Sequence, residues 1–119
     1  MYSGAVLDHF KNPRNAGDLS DASASVEVTN PVCGDVLRLA ARVENGTIAA
    51  VRFKAQGCVT AVACASMLTE LVIGKTIEAA HRVTAAQVSE ALGGLPQATF
   101  HGAQLAAEAL SDLLSQLLV

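Results

Sequence analysis

The stretch LRLAARVENGTIAAVRFKAQGC, from Leu37 to Cys58, decides the fold. Its opening alternates: Leu37, Leu39, Ala41 and Val43 share one side, and Arg38 and Arg42 fall on the other. Successive side chains of a strand point to opposite faces, so a period of two predicts a strand with one dry face and one wet face. Glu44-Asn45-Gly46 then supplies the residue types that a tight hairpin turn requires. Val51 and Phe53 alternate with Arg52 and Lys54 in the next run, and upstream Val26 and Val28 repeat the pattern. Three antiparallel strands are expected, at roughly 23–30, 35–43 and 47–55.

Working outward, the periodicity changes after Gly57-Cys58. Ala61 to Ile73 is apolar almost all round, which marks a helix buried on most sides, and Gly74 ends it. A short N-terminal helix is expected from Ser3 to Phe10, stopped by Asn12-Pro13-Arg14-Asn15 because proline disfavours helix in the residue before it. Shorter helices are expected near Ile77–His81 and Ala85–Leu92, with Gly93-Gly94 and Pro96 as breakers. The last helix, from about Gly102 to Leu118, places Leu105, Ala109, Leu110, Leu113, Leu114 and Leu117 on one stripe and Glu108 and Asp112 off it. The sum is an α+β fold, a three-stranded antiparallel sheet packed against several α-helices, expected as a single domain over residues 1–119.

Composition agrees with that architecture. The 119 residues are 51% hydrophobic but 3% aromatic, with no Trp, so the core is built from Ala, Val and Leu in close contact. A net charge of −3 with scattered Lys and Arg argues against nucleic acid as a partner, because neutralising phosphates takes clustered cations. No apolar run of about 18 residues suggests a membrane span, and Asp8 and His9 stand where a signal peptide would be apolar. A cytoplasmic location is therefore expected.

Three cysteines cannot make a disulfide framework, and their spacing is not that of a zinc finger. Cys33 lies in the turn Pro31-Val32-Cys33-Gly34-Asp35, between two expected strands. Pro and Gly there hold a thiol and a carboxylate two residues apart, a setting that suits a ligand more than a packing residue. Cys58 stands where strand gives way to helix; it either turns the chain or uses the helix amides and dipole to favour a metal-binding thiolate. Cys64, among Val62, Ala63 and Ala65, reads as core. His9 and His81 read as surface or capping residues, and His101, at the mouth of the last helix, reads the same way on residue type alone.

In order, Asp8-His9-Phe10-Lys11-Asn12-Pro13-Arg14-Asn15-Ala16-Gly17, Cys33-Gly34-Asp35, Phe53-Lys54-Ala55-Gln56-Gly57-Cys58, Ala63-Cys64-Ala65-Ser66, Leu95-Pro96 and His101 resemble the signature of the iron–sulfur cluster assembly scaffold family (IscU, or NifU N-terminal domain). The resemblance runs from about Tyr2 into the final helix without a large insertion. It implies that Cys33, Asp35, Cys58 and His101 converge at one exposed end to hold iron, a [2Fe–2S] cluster or zinc, with a cysteine desulfurase as sulfur donor.

Two departures from that signature carry consequences. The third cysteine expected after His101 is Gly102, which can neither ligate iron nor accept a persulfide. Two thiolates, an imidazole and a carboxylate still make four ligands, enough for tetrahedral zinc, and histidines replace cysteines at one iron of Rieske clusters. The family's Leu-Pro-Pro-Val-Lys segment, read by an Hsp70-type chaperone, is here Leu95-Pro96-Gln97-Ala98-Thr99, which puts that partner in doubt. The leading expectation is a scaffold-like metal or cluster carrier rather than an enzyme, since no Ser/His/Asp or oxyanion arrangement accompanies the thiols. The alternative is an adaptor or regulator that docks on a desulfurase or scaffold without carrying a cluster.

Overall fold

The computed structural model describes residues 2–31 and 34–117. Strands β1 (Ala24–Thr29), β2 (Val36–Glu44) and β3 (Thr47–Gln56) form one antiparallel sheet in the order β1-β2-β3, as the alternation predicts. The β2–β3 hairpin turns at Asn45 and Gly46, whose φ angles of 53° and 75° are left-handed. Asn and Gly are the residues that reach that region at least cost.

One face of the sheet is dry. Leu37, Leu39, Ala41, Ile48, Val51 and Phe53 are buried against two helices, α2 (Val59–Val72) and the long C-terminal α5 (His101–Leu117), which also pack on each other. α2 buries nine of its fourteen residues, among them Ala61, Ala63, Cys64 and Ala65; their small side chains let it sit close to its neighbours. In α5 the expected stripe faces inward, with Leu105, Ala109, Leu110, Leu113 and Leu114 buried and Glu108 and Asp112 exposed. Leu118, the expected end of that helix, lies outside the described residues. The N-terminal α1 (Gly4–Lys11), capped by the Ser3 hydroxyl, packs on α2. α3 (Ile77–Ala80) and α4 (Ala85–Ala91) close the far side, α4 with a Thr84/Gln87 capping box. A 3-10 turn over Gln97–Thr99, which sequence patterning does not anticipate, leads into α5.

The outer face of the sheet carries Arg38, Lys54 and Arg42, each paired with an acid: Glu27 at 3.1 Å, Asp18 at 3.0 Å and Asp21 at 2.8 Å. No helix among the described residues is long and apolar enough to cross a membrane.

One expectation needs correcting here. His9 is not a surface or capping residue: it is 4% exposed, turned into α2, with Nδ1 2.7 Å from the Ser66 hydroxyl. Ser66 offers a small buried hydroxyl that satisfies the imidazole against that largely apolar helix, and the 57-residue separation hides the pairing from local pattern. His81 is exposed and caps α3, as expected.

Candidate metal centre

Three loops and helix starts meet at one end of the sheet. Asp35 ends the β1–β2 connection, held by Asn30 N–H donating to its carbonyl at 2.8 Å and by Gly34 N–H donating to Asn30 O at 2.7 Å. It is 4% exposed, unusual for a carboxylate, which is almost never fully buried unless partnered. Cys58 follows β3 directly and is the N-cap of α2; its sulfur accepts the Ala61 N–H at 3.4 Å. The sulfur therefore stands at the positive end of a helix. His101 opens α5, which the packing of α5 on α2 brings beside Cys58.

The donor atoms converge. Asp35 Oδ2 is 3.8 Å from Cys58 Sγ and 3.7 Å from His101 Nε2, and the donors of all three residues lie within 4.8 Å of one another. Ligand atoms on a tetrahedron with bonds of about 2.0–2.3 Å stand roughly 3.3–3.7 Å apart. The two separations to Asp35 stand at or just above that range and the third stays within 4.8 Å, so a small inward movement of the donors would close them round an ion; without one, the Cys58 thiol donates a long hydrogen bond to Asp35 Oδ2. Among the described residues this is the group of three such side chains that meets that condition. A shallow cavity of about 460 Å³, walled by Tyr2, Thr60 and Thr99 as well as the three donors, opens it to solvent. A wider depression of about 840 Å³, lined by Glu27, Arg38, Lys54, Phe53 and Val62 among others, holds no thiol or imidazole.

The structure brings together Asp35, Cys58 and His101. Cys33 lies outside the described residues. Cys64 is fully buried in α2, and burial pushes its thiol up to about 12, so it stays protonated and is no substitute ligand. Gly102 is buried where the first turns of α5 and α2 touch. A Cβ there would lie 3.3 Å from Ala61 N and from Thr60 Cγ2, so a cysteine at that position requires the two helix starts to give by a few tenths of an ångström.

Comparison with known proteins accords with this geometry. The NifU-like N terminal domain model matches residues 1–117. The chain belongs to that family. It is 48% identical over 110 residues to iron–sulfur cluster assembly scaffold protein IscU 1 of Archaeoglobus fulgidus, covering 92% of this chain and 72% of that one. It is 41% identical over 118 residues to the IscU scaffold of Haemophilus influenzae, covering 96% and 93%. The crystal structure of a NifU-like N-terminal domain from Brucella abortus superposes with a TM-score of 0.73 at 19% identity, over 95% of this chain and 91% of that one, and supports the α+β fold.

Proposed function

We propose that this chain is an iron–sulfur cluster assembly scaffold whose cargo, iron, a [2Fe–2S] cluster or zinc, is held by Asp35, Cys58 and His101 with Cys33 from the adjoining loop as fourth ligand. The observation that carries this reading is the convergence of a carboxylate, a thiol and an imidazole within 4.8 Å in a chain of the NifU-like family. Thiolate and imidazole are the donors that iron and zinc prefer, and the carboxylate neutralises charge that the missing cysteine would have neutralised. The same convergence favours a cargo-holding role over that of an adaptor, which would have no need to keep three donors facing one another.

The site holds rather than transforms. A cysteine desulfurase is the sulfur donor that the relatives' role implies, but Gly102 has no sulfur to receive a persulfide, so this chain is impaired as an acceptor at that position. Leu95-Pro96-Gln97-Ala98-Thr99 folds partly into the 3-10 turn and lacks the second proline and the lysine, and we leave an Hsp70-type chaperone out of the proposal. Reduced thiol ligands suit a cytoplasmic setting.

Anaerobic reconstitution tests the reading. Protein offered iron and sulfide, and separately zinc, is expected to take up close to one site per chain, with sulfur-to-iron charge-transfer absorption in the first case. Uptake of neither would overturn it.

A further inference from the structure

The geometry points to Gly57 as the positioning residue of the site: the side chain it lacks is the space in which the Asp35 carboxylate stands. Sheet register explains the meeting. Val36 pairs with Gln56, so one step further along the same antiparallel ladder Asp35 faces Gly57. A Cβ on Gly57 would lie 2.4 Å from Asp35 Oδ1, 2.7 Å from Cγ and 3.1 Å from Cβ. Ordinary contact begins at 3.4 Å, so that oxygen would have to retreat by about 1 Å. Asp35 is a short side chain, 4% exposed, with little room to swing aside.

The other glycine beside Asp35 is not crowded. A Cβ on Gly34, in the same loop as Asp35, would meet nothing within 4 Å. The consequence reaches the ion through the other carboxylate oxygen. Oδ2 is the atom that faces both Cys58 Sγ and His101 Nε2, and it cannot keep those distances if Oδ1 is driven off Gly57. Gly57 touches no ion; it fixes where the oxygen ligand stands, as partners behind a metal ligand do. This inference rests on the reading of the site as an ion holder.

A double-mutant cycle tests it with zinc alone as the probe, using wild type, Gly57→Ala, Asp35→Ala and the double variant, each titrated by calorimetry and melted without zinc. Gly57→Ala is expected to weaken zinc binding by about 10- to 100-fold and to lower the melting temperature. In the Asp35→Ala background, where the carboxylate is gone but the Cβ at 3.1 Å and the Gly57 φ of 159° remain, the same change should cost zinc affinity and melting temperature clearly less than it does in the wild type. Should Gly57→Ala fail to fold, recovery of folding in the double variant carries the same meaning. Equal losses in both backgrounds, or a double variant that also fails to fold, would show that Gly57 acts through its backbone alone and would overturn the inference. Unchanged zinc binding in Gly57→Ala would overturn it while leaving the ion-holding reading in place. Absence of zinc binding by the wild type would instead sink the ion-holding reading, with the melting cycle still reporting whether Gly57 and Asp35 are coupled.

Discussion

His9 and His101 each centre a polar cluster, and their surroundings are opposite. His9 is sealed between α1 and α2. The Ser66 hydroxyl accepts the Arg14 N–H at 2.9 Å and meets His9 Nδ1 at 2.7 Å, while Nε2 faces Glu70 Oε1 at 3.4 Å. Arg14 in turn reaches Asp8 at 2.6 Å. His101 has no such closure: its side chain is 29% exposed and the Asp35 oxygen stands 3.7 Å away. The first cluster is closed, its buried imidazole meeting a hydroxyl on one side and a carboxylate on the other. The second is spaced as if for something between its members. A satisfied buried network specifies and rigidifies a core, whereas donors held apart at an open end are what an ion can bridge.

The widest contrast comes from breaking one member of each cluster. Cys58→Ser keeps an acceptor at the α2 N-cap and removes the soft ligand. It is expected to lower zinc affinity by at least about 100-fold while the melting temperature stays within about 3 °C of wild type. His9→Ala should do the reverse, costing about 2 kcal/mol, roughly 8 °C of melting temperature, with zinc affinity unchanged within about twofold. Calorimetric titration and thermal melts of both variants decide the matter; loss of folding in Cys58→Ser, or of zinc binding in His9→Ala, would break the distinction.

A smaller effect sharpens the closed side. Burial pushes the His9 imidazole below its ordinary value of 6.5, the nearby Arg14 cation adds to this, and Glu70 and Asp8 pull the other way. The unfolded chain therefore takes up a proton more readily than the folded one. Stability from this site is complete above about pH 6.5 and is lost as the pH falls from there towards the folded-state value, after which the loss stops. Urea midpoints measured between about pH 7.5 and 5 should fall in wild type, and His9→Gln should remove part of that fall. A slope identical in the two proteins would mean that His9 is not protected from protonation.

The contrast also marks what is legible in the sequence. Strands and their register follow from local alternation, as in Leu37 to Val43 against Arg38 and Arg42, and from Asn45-Gly46 at the hairpin. Cys58 is legible as a helix start because Gly57-Cys58 lies where the period changes, and it is the N-cap. Asp35 and His101 were legible through their motif context, since neither residue type in isolation distinguishes a ligand from a surface group. His9 misleads because its partners Ser66 and Glu70 lie on a helix far along the chain, and a histidine between Asp8 and Phe10 carries no local sign of burial. The close approach of Gly57 to Asp35 is hidden for a related reason: two strands must be paired before a missing Cβ means anything. Gly102 looks like a plain loss in sequence, and in the fold it is also the contact point of two helix starts.

The central claim is that Asp35, Cys58 and His101 grip one ion together, and X-ray absorption at the zinc edge of the stoichiometric zinc complex reads that grip directly. The account predicts a first shell containing sulfur at about 2.3 Å together with nitrogen and oxygen at about 2.0–2.2 Å, and a fall in sulfur scattering, to the share that Cys33 supplies, when Cys58 is replaced by serine. A shell of oxygen and nitrogen alone in the wild-type protein, unchanged by that substitution, would contradict it.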